Sequence, residues 1–532
     1  MADAAAIVRR LGQLKTQRAP QEQVWRECFD YTYPLRGSGL NQDAIDAERG
    51  QSKQADILDS TGTDAAQLLA SEIASGTTPA NTLWFEYAVT GSSDDDAESR
   101  WFGDAAKTVW ENIHASNYDS ERLDAVMDAI CGGWMVLYID EDREAGGYAF
   151  ERWPLAECYV AASKPGGLPD TVFREYTLTA EQAVAVFGEA MVSEQTRKLA
   201  TDKPDESVKF VHAIQPRKNA TPGAKLARNL PVESCHVEVN NKHTVRESGY
   251  HEMPVIVARW QRLPNSAYGV GQVYSALPDI KMLQSMWRLD LGAGELAVSG
   301  MWIAEDDGVL NPRTLKIGPR KVIVANSVDS MKPLQSGSNF QYSSDRIDRL
   351  QAKIRRTMLA DQLPPADGPT KTAYEYSVRL AVLRKILGPI FGRLQSEELG
   401  PTALRCFGLA YRAGILGQAP ASLGNRDFHV RYVGPLARAQ RLEEVAAVER
   451  VVEDAKAMAE VWPGAVDVID ADEAMRVVGA GSGIPAKVLR DVESLKALRD
   501  ARAEQQAKEA QQAQAQELQS MAAQSAMSRA AA

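Results

Sequence analysis

The sequence predicts an α+β fold that is predominantly helical. Strand-like segments crowd residues 131–260, the character changes to long amphipathic helices from Ser275 onward, and helical patterns also open the chain. At 532 residues, 44% hydrophobic and 25% charged, the chain has the composition of a globular protein and the length of roughly three domains. A core of that size needs no disulfide or metal staple.

The elements follow in order. Residues 20–33 open a helix, with Pro20 at its first position and Val24, Cys28 and Tyr31 at helical spacing. DILDSTGTDAAQLLASEIASGTTP is a second helix with Leu58, Ala65, Leu69 and Ile73 on one side; LWFEYAV then reads as a strand. The acidic run Asp94–Asp96 precedes the helix SRWFGDAAKTVWENIHAS, where negative charge suits the helix dipole. WMVLYID, YAFERWP, SVKFVHAI, CHVEVN and PVIVARW are strands, joined by the turn-rich KPGGLPD and RKNATPGAKLARNLP.

ALPDIKMLQSMWRLDLGAGELAVS carries Ile280, Leu283, Trp287 and Leu291 on one stripe and spans about 30 Å. The insert MWIAEDDGVLNPRTLKIGPRKVIVANSVDSMKPL has turn signals at DDG, NP and GP. A serine-capped amphipathic helix follows, with Ile347, Leu350, Ile354 and Met358 on its apolar face. DQLPPADGPTK is neither helix nor strand. A long helical stretch from Ala373 to Ile415 should kink or break at Gly388-Pro389 and Gly400-Pro401. Further helices are predicted over 436–462 and 470–500, and the Ala/Gln-rich tail is expected to be frayed helix or disorder.

Charge and motifs bound the function. The net charge is −11, whereas tight nucleic-acid binders are usually basic; DNA handling would have to be transient. Five scattered cysteines without a CxxC pair, no secretory leader and no apolar run of spanning length lead us to expect a soluble protein made in a cytosol. No phosphate loop occurs: GAGSGIPAK at 479–487 has Pro485 and Ala486 where the cradle needs glycine and compact spacing. YGVGQVY at 268–274 has Tyr274 at the third glycine position of a dinucleotide loop. HVE at 236–238 lacks the PCxxC of a zinc deaminase, HEMPV at 251–255 lacks a second histidine, and no GxSxG elbow exists. The carboxylates Asp140/Glu141/Asp142 and Asp306/Asp307 fit solvated turns better than acid–base work. The chain is therefore expected to be no enzyme and to hold no cofactor or metal.

The order of these segments resembles the portal (head-to-tail connector) proteins of short-tailed bacteriophages, over nearly the whole chain to about residue 500. The pieces that carry it are VWRECFDYTYP, DSTGTDAAQLLASEIASGTTPANTLWFEY, VFREYTLTAEQAVAVFGE, PVIVARWQRLPNSAYGVGQVYSALPDIKMLQSMWR, ELGPTALRCFGLAYRAGIL and VRYVGPLARAQRLEEV. Val270 stands where a more polar residue is expected, and the tail matches nothing assignable.

The resemblance implies a portal fold: wing, two-helix stem, clip and helical crown, assembling as a ring of twelve subunits at one capsid vertex. Carried over, 1–275 is the N-terminal wing, 276–298 and 343–360 the stem helices, 299–342 the clip and 361–372 the channel loop. Residues 373–435 are the long kinked wing helix and return strand, 436–500 the crown and 501–532 the tail. Double-stranded DNA would pass through without sequence recognition during packaging and ejection. The packaging ATPase (terminase), tail adaptor proteins, and capsid and scaffolding proteins would be partners; no membrane is involved. Lys353, Arg355, Arg356 and Lys371 are candidate DNA-guiding residues, although cations on such a helix commonly form only a solvated face. Arg313, Lys316, Arg320, Lys321 and Lys332 make the clip segment locally basic and are candidate docking residues. Rival readings are a capsid or tail-tube subunit, disfavoured by the long kinked helices, and a packaging ATPase, disfavoured by the missing phosphate loop.

Overall fold

The first helix begins earlier than the sequence suggested. In the computed structural model, α1 runs over Ala4–Asp30, capped by Asp3, whose side chain accepts the Ala5 N–H at 3.0 Å. Pro20 lies inside it, although a proline in a helix interior costs about 3 kcal/mol. Packing on both sides outweighs that cost. Ile7, Leu11 and Leu14 are buried in one core, and Trp25, Cys28 and Phe29 in another. Between them the buried Arg18 donates to the carbonyls of Leu155, Ala156 and Cys158 at 2.6–2.9 Å, and to Glu22 at 2.5 Å.

The structure describes residues 3–37, 40, 47–89, 96–221, 226–299, 301–304, 331–334, 340–360, 387–423, 427–433, 435–459, 462, 468–481 and 495–508. They fall into two units, one of residues 1–84 with 109–415, the other of 85–108 with 416–532.

After α2 (Ala47–Ala55), α3 (Thr61–Thr77) buries Ala65, Leu69 and Ile73 as the pattern required, whereas Leu58 before it is 40% exposed. The expected strand at LWFEYAV is β1 (Phe85–Val89), and α4 (Asp96–Ala115) follows the acidic run. α5 (Tyr118–Gly132) ends at Gly133, which has φ +89° and sits where a Cβ would come within 2.5 Å of the Val270 Cα. Only glycine allows that crossing.

Two antiparallel sheets come next in the first unit. β2 (Trp134–Glu141) is the centre of a three-stranded sheet, flanked by β3 (Tyr148–Arg152) and a later strand, Val255–Arg259. β4 (Cys158–Ala161) and β5 (Thr171–Thr179) start a five-stranded sheet. Between its strands lie two short helices, α6 (Ala180–Phe187) and α7 (Glu194–Asp202), that the strand-dominated reading of 131–260 passed over. The local signal was present: Thr179 and Gln182 form a reciprocal capping box. β6 (Ser207–Pro216), β7 (Val232–Glu238) and β8 (His243–Tyr250) complete the sheet in chain order. One face, with Phe173, Val211, Ala213, Cys235 and Val237, packs on the start of α1.

β9 is the strand Val255–Arg259 already placed, and β10 (Gln261–Arg262) pairs β11 (Gly269–Val270). α8 (Gln272–Ser299) is the long helix expected from ALPDIKM onward. The segment after it begins and ends in β12 (Met301–Ala304) and β13 (Met331–Leu334), which pair antiparallel from Met301↔Leu334 to Ala304↔Met331. α9 (Phe340–Thr357) returns alongside α8. The expected DQLPPADGPTK loop lies outside the described residues.

Residues 387–394 are helical, residues 395–399 form a π-helical turn, and α10 (Gly400–Arg412) continues. The Gly400 N–H reaches back to the Gln395 carbonyl, and Pro401 supplies no N–H for the Glu397 carbonyl. The disturbance expected at Gly-Pro is thus a widened turn rather than a break.

In the second unit β14 (Phe428–Tyr432) pairs β1, and Phe85, Tyr87, Phe102 and Phe428 pack ring to ring at 5.4–6.3 Å. α11 (Pro435–Ala459) and α12 (Ala471–Gly481) occupy the predicted helical stretches.

Candidate functional site

Three of the sequence-predicted residues, Lys353, Arg355 and Arg356, lie on α9, which the first unit pairs antiparallel with α8. The Gln272 side chain donates to the Thr357 carbonyl at 2.6 Å, Lys353 Nζ lies 2.7 Å from Asp279 Oδ1, and Ser343 Oγ donates to Asp290 at 2.6 Å. Ile347, Leu350, Ile354 and Met358 are buried, as the helical spacing predicted. On α8 the predicted stripe divides: Ile280 and Leu283 are buried, Trp287 is half-buried, and Leu291 is 54% exposed, with Leu289 beside it at 70%. The base of the pair is core and its outer part faces solvent.

Of the DNA-guiding candidates, Lys353 is exposed and held by Asp279. Arg355 and Arg356 are exposed and form no ion pair with any described residue. Lys371 lies outside the described residues, as do Arg313, Lys316, Arg320 and Lys321. Lys332 is on β13, its backbone opposite Ile303.

A polar node that the sequence reading did not single out sits at the base of the pair. Asp59, 9% exposed, precedes α3 and accepts three hydrogen bonds: from the Thr61 N–H at 2.8 Å, Trp287 Nε1 at 2.8 Å and Gln351 Nε2 at 2.7 Å. Burial pushes its carboxyl up, but these donors outweigh that and hold it below the usual carboxylate value. The Gln284 amide accepts from the N–H groups of Leu58 and Asp59 at 2.8 and 3.2 Å and donates to the Asp59 carbonyl at 2.7 Å. An aspartate ahead of a helix was legible as a cap; that it would gather two other helices was not.

The π-turn supplies a second concentration of buried charge. Glu397 accepts from Arg259 Nε and Nη2 at 2.9 and 2.7 Å, and Glu398 from Arg122 Nε at 2.5 Å. All four side chains are at most 4% exposed. Arg122 also donates to Thr77 Oγ1 at 2.8 Å, so the turn is tied to α3, α5 and β9.

A cleft of about 780 Å³ opens on the face of the five-stranded sheet turned away from α1. One cross-strand row reads Arg174, His212, His236 and Arg246 across β5 to β8. The two imidazoles stack with centroids 3.9 Å apart, and Arg174 lies 4.9 Å over Trp153. Burial, followed by the arginine charges, lowers His236 to about 4; burial and the neighbouring His236 and arginines push His212 well below its ordinary value. Both rings are neutral at pH 7.

YGVGQVY, HVE, HEMPV and the Asp142 turn have structural roles, whereas Asp306, Asp307 and residues 482–487 of GAGSGIPAK lie outside the described residues. Gly269 and Gly271 of YGVGQVY approach the carbonyls of Gly133 and Ile130 so closely that an added Cβ would lie 2.3 and 2.2 Å away. Tyr268 packs against Trp25 and Trp134 at 5.1 Å. Glu238 of HVE accepts from Ser193, Thr196 and Asn241, and Glu252 of HEMPV pairs with Arg405 and Arg412. Asp142 accepts from Glu144 and Ala145 within its own turn. All five cysteines are buried, with burial pushing Cys28, Cys131 and Cys158 to about 12 and Cys235 and Cys406 also upward. Among the described residues no group of His, Cys, Asp and Glu is placed to hold a metal, and no helix is long and apolar enough to cross a membrane.

In the first unit the α8–α9 pair is joined to the start of α3 through Asp59, and the π-turn is held by two buried ion pairs. The chain belongs to the bacteriophage head-to-tail connecting protein family, whose model matches residues 4–489. It is 26% identical over 526 residues to the "Probable portal protein" of Bordetella phage BPP-1, a match covering 94% of this chain and 91% of that one. The "Portal protein" of Salmonella phage epsilon15 is 25% identical over 516 residues, with the same coverage of 94% and 91%. A solved structure described as "Neck of empty GTA particle computed with C6 symmetry" aligns at a TM-score of 0.35 and 13% identity, covering 79% of this chain and 90% of that one.

Proposed function

We propose that this chain is a portal subunit, forming a ring at one capsid vertex through which double-stranded DNA is packaged and later ejected. The observation that carries the reading is the family match across residues 4–489. The antiparallel pair α8–α9, flanking a segment whose two ends pair as β12 and β13, supports it. In this reading 276–298, within α8, and 343–360, which begins in α9, are the stem, 299–342 the clip, and 361–372 the channel loop. Residues 1–275 with 373–435 are the wing, 436–500 the crown, and 501–532 the tail. The ring has twelve copies. The terminase docks on it during filling, tail adaptors afterwards, and capsid and scaffolding proteins surround it. The chain itself does no chemistry; ATP is hydrolysed by the docked terminase.

Electrostatics favours sliding over gripping. DNA carries one negative charge per about 1.7 Å of axis, and a subunit of net charge −11 repels it on average. Arg355 and Arg356, free of ion pairs with described residues, supply local attraction. Lys353 contributes less, since Asp279 offsets its charge. Negative-stain images of the purified chain should show closed rings with an axial hole; shells, tubes or small monomers across assembly conditions would refute the reading. Neutralising Lys353, Arg355, Arg356 and Lys371 together should leave rings intact and reduce packaging or genome retention. Unchanged packaging and retention would remove these residues from the channel.

A further inference from the structure

Asp59 brings together one residue from each of three helical elements, and its chemistry explains why a carboxylate is there. Thr61, Trp287 and Gln351 present only donors to it, and an ionised carboxylate is acceptor-only, so all three bonds form at once. An asparagine would turn an NH₂ toward one of those donors. The neighbouring Gln284 amide binds the chain at residues 58 and 59 through both its oxygen and its nitrogen, so the segment ahead of α3 cannot slide along α8. Packing closes the same joint: Ile280 of α8 lies where a Cβ on Gly62 would meet it at 3.0 Å.

Position makes the joint consequential. Asp59 grips α8 at Trp287, twelve residues before its end at Ser299. Outward of that point Leu289 and Leu291 face solvent, and the Ser343–Asp290 hydrogen bond joins the two helices to each other. Those twelve residues rise ~18 Å, so a tilt of ~10° at the joint displaces the end of α8 by ~3 Å.

We propose that Asp59 is the positioning residue that sets the angle of the α8–α9 pair against the rest of its unit. Resting on the portal reading, the consequence is that Asp59 sets the bore through which DNA passes, without touching DNA.

Distance measurement tests this directly. The native cysteines are buried, so spin labels attach selectively to cysteines introduced at the exposed positions Ser344 on α9 and Thr201 on α7. With labelled subunits diluted into an excess of unlabelled wild-type ones, so that distances within one subunit dominate, the otherwise wild-type protein should give one narrow distance distribution. Asp59→Asn should broaden it and lower packaged DNA, since losing a hydrogen bond to a charged group shifts the ratio of set to misset angles about tenfold. Trp287→Phe and Gln351→Leu, each removing a single donor, should broaden it less, and they carry the test if Asp59→Asn does not fold. Distributions unchanged in both mean and width in the folded variants would overturn the proposal, even if stability fell, because a merely stabilising contact would leave the angle where it was. Absence of rings from the wild-type protein would overturn the portal reading alone, and the distance distributions would still decide the role of Asp59.

Discussion

Glu398 and Arg122 illustrate how single side chains hold this molecule. The two groups are 0% and 1% exposed, and each satisfies the other's charge where water cannot. Removing one partner strands the other, a loss of about 3–5 kcal/mol. Glu398→Gln should therefore lower unfolding stability in denaturant by that order, whereas the paired change Glu398→Leu with Arg122→Met should recover much of it; equal losses in both would show that the charges are not coupled. The stacked histidines make a second residue-scale prediction. His236 titrates at about 4 and His212 also below its ordinary value, so the unfolded chain, with histidines near 6.5, binds more protons. Their contribution is present in full above pH 6.5 and falls as the pH drops from there through 4, by at most about 1.4 kcal/mol per pH unit for each ring. His236→Phe should flatten the stability–pH curve across that window. An unchanged slope would assign the acid sensitivity to other groups.

At the scale of elements, α9 separates two kinds of residue that helical spacing places one position apart. Ile354 is 0% exposed in the core, whereas the Lys353 side chain is 63% exposed and pairs with Asp279 in solvent. Ile354→Ala should cost about 2–5 kcal/mol. Lys353→Ala should cost about 1 kcal/mol or less, since exposed ion pairs add little. Thermal or denaturant unfolding of both variants checks the contrast, and comparable losses would mean that Lys353 is integral to the helix pair. Periodicity made the buried stripe of α9 legible. It misjudged the outer half of α8, because an apolar stripe records what can be buried and not how far the neighbouring elements extend. Pro20 was misread for a related reason: proline is a strong local signal, and the packing of α1 on two cores outweighs it.

For the whole molecule, a chain of net charge −11 with a basic segment between α8 and α9 should meet its partners through that segment. Reversing Arg320 and Lys321 should impair docking of the terminase or of the tail adaptors while leaving rings intact by electron microscopy. Normal binding of both partners would exclude these two residues. Acting through exposed charge, such docking should weaken as ionic strength rises.

What the sequence determined by itself was the kind of molecule: predominantly helical with a strand-rich middle, lacking a phosphate loop, and collinear with portal proteins. These properties are written in spacing, composition and motif order, which act over a few residues at a time. The tertiary structure alone decided which polar groups work together. Asp59 meets Trp287 and Gln351, Glu398 meets Arg122, and Arg174, His212, His236 and Arg246 fall into one row, across separations of tens to hundreds of residues. No local pattern encodes such pairings, because a buried charge is stable only beside partners that distant backbone brings to it.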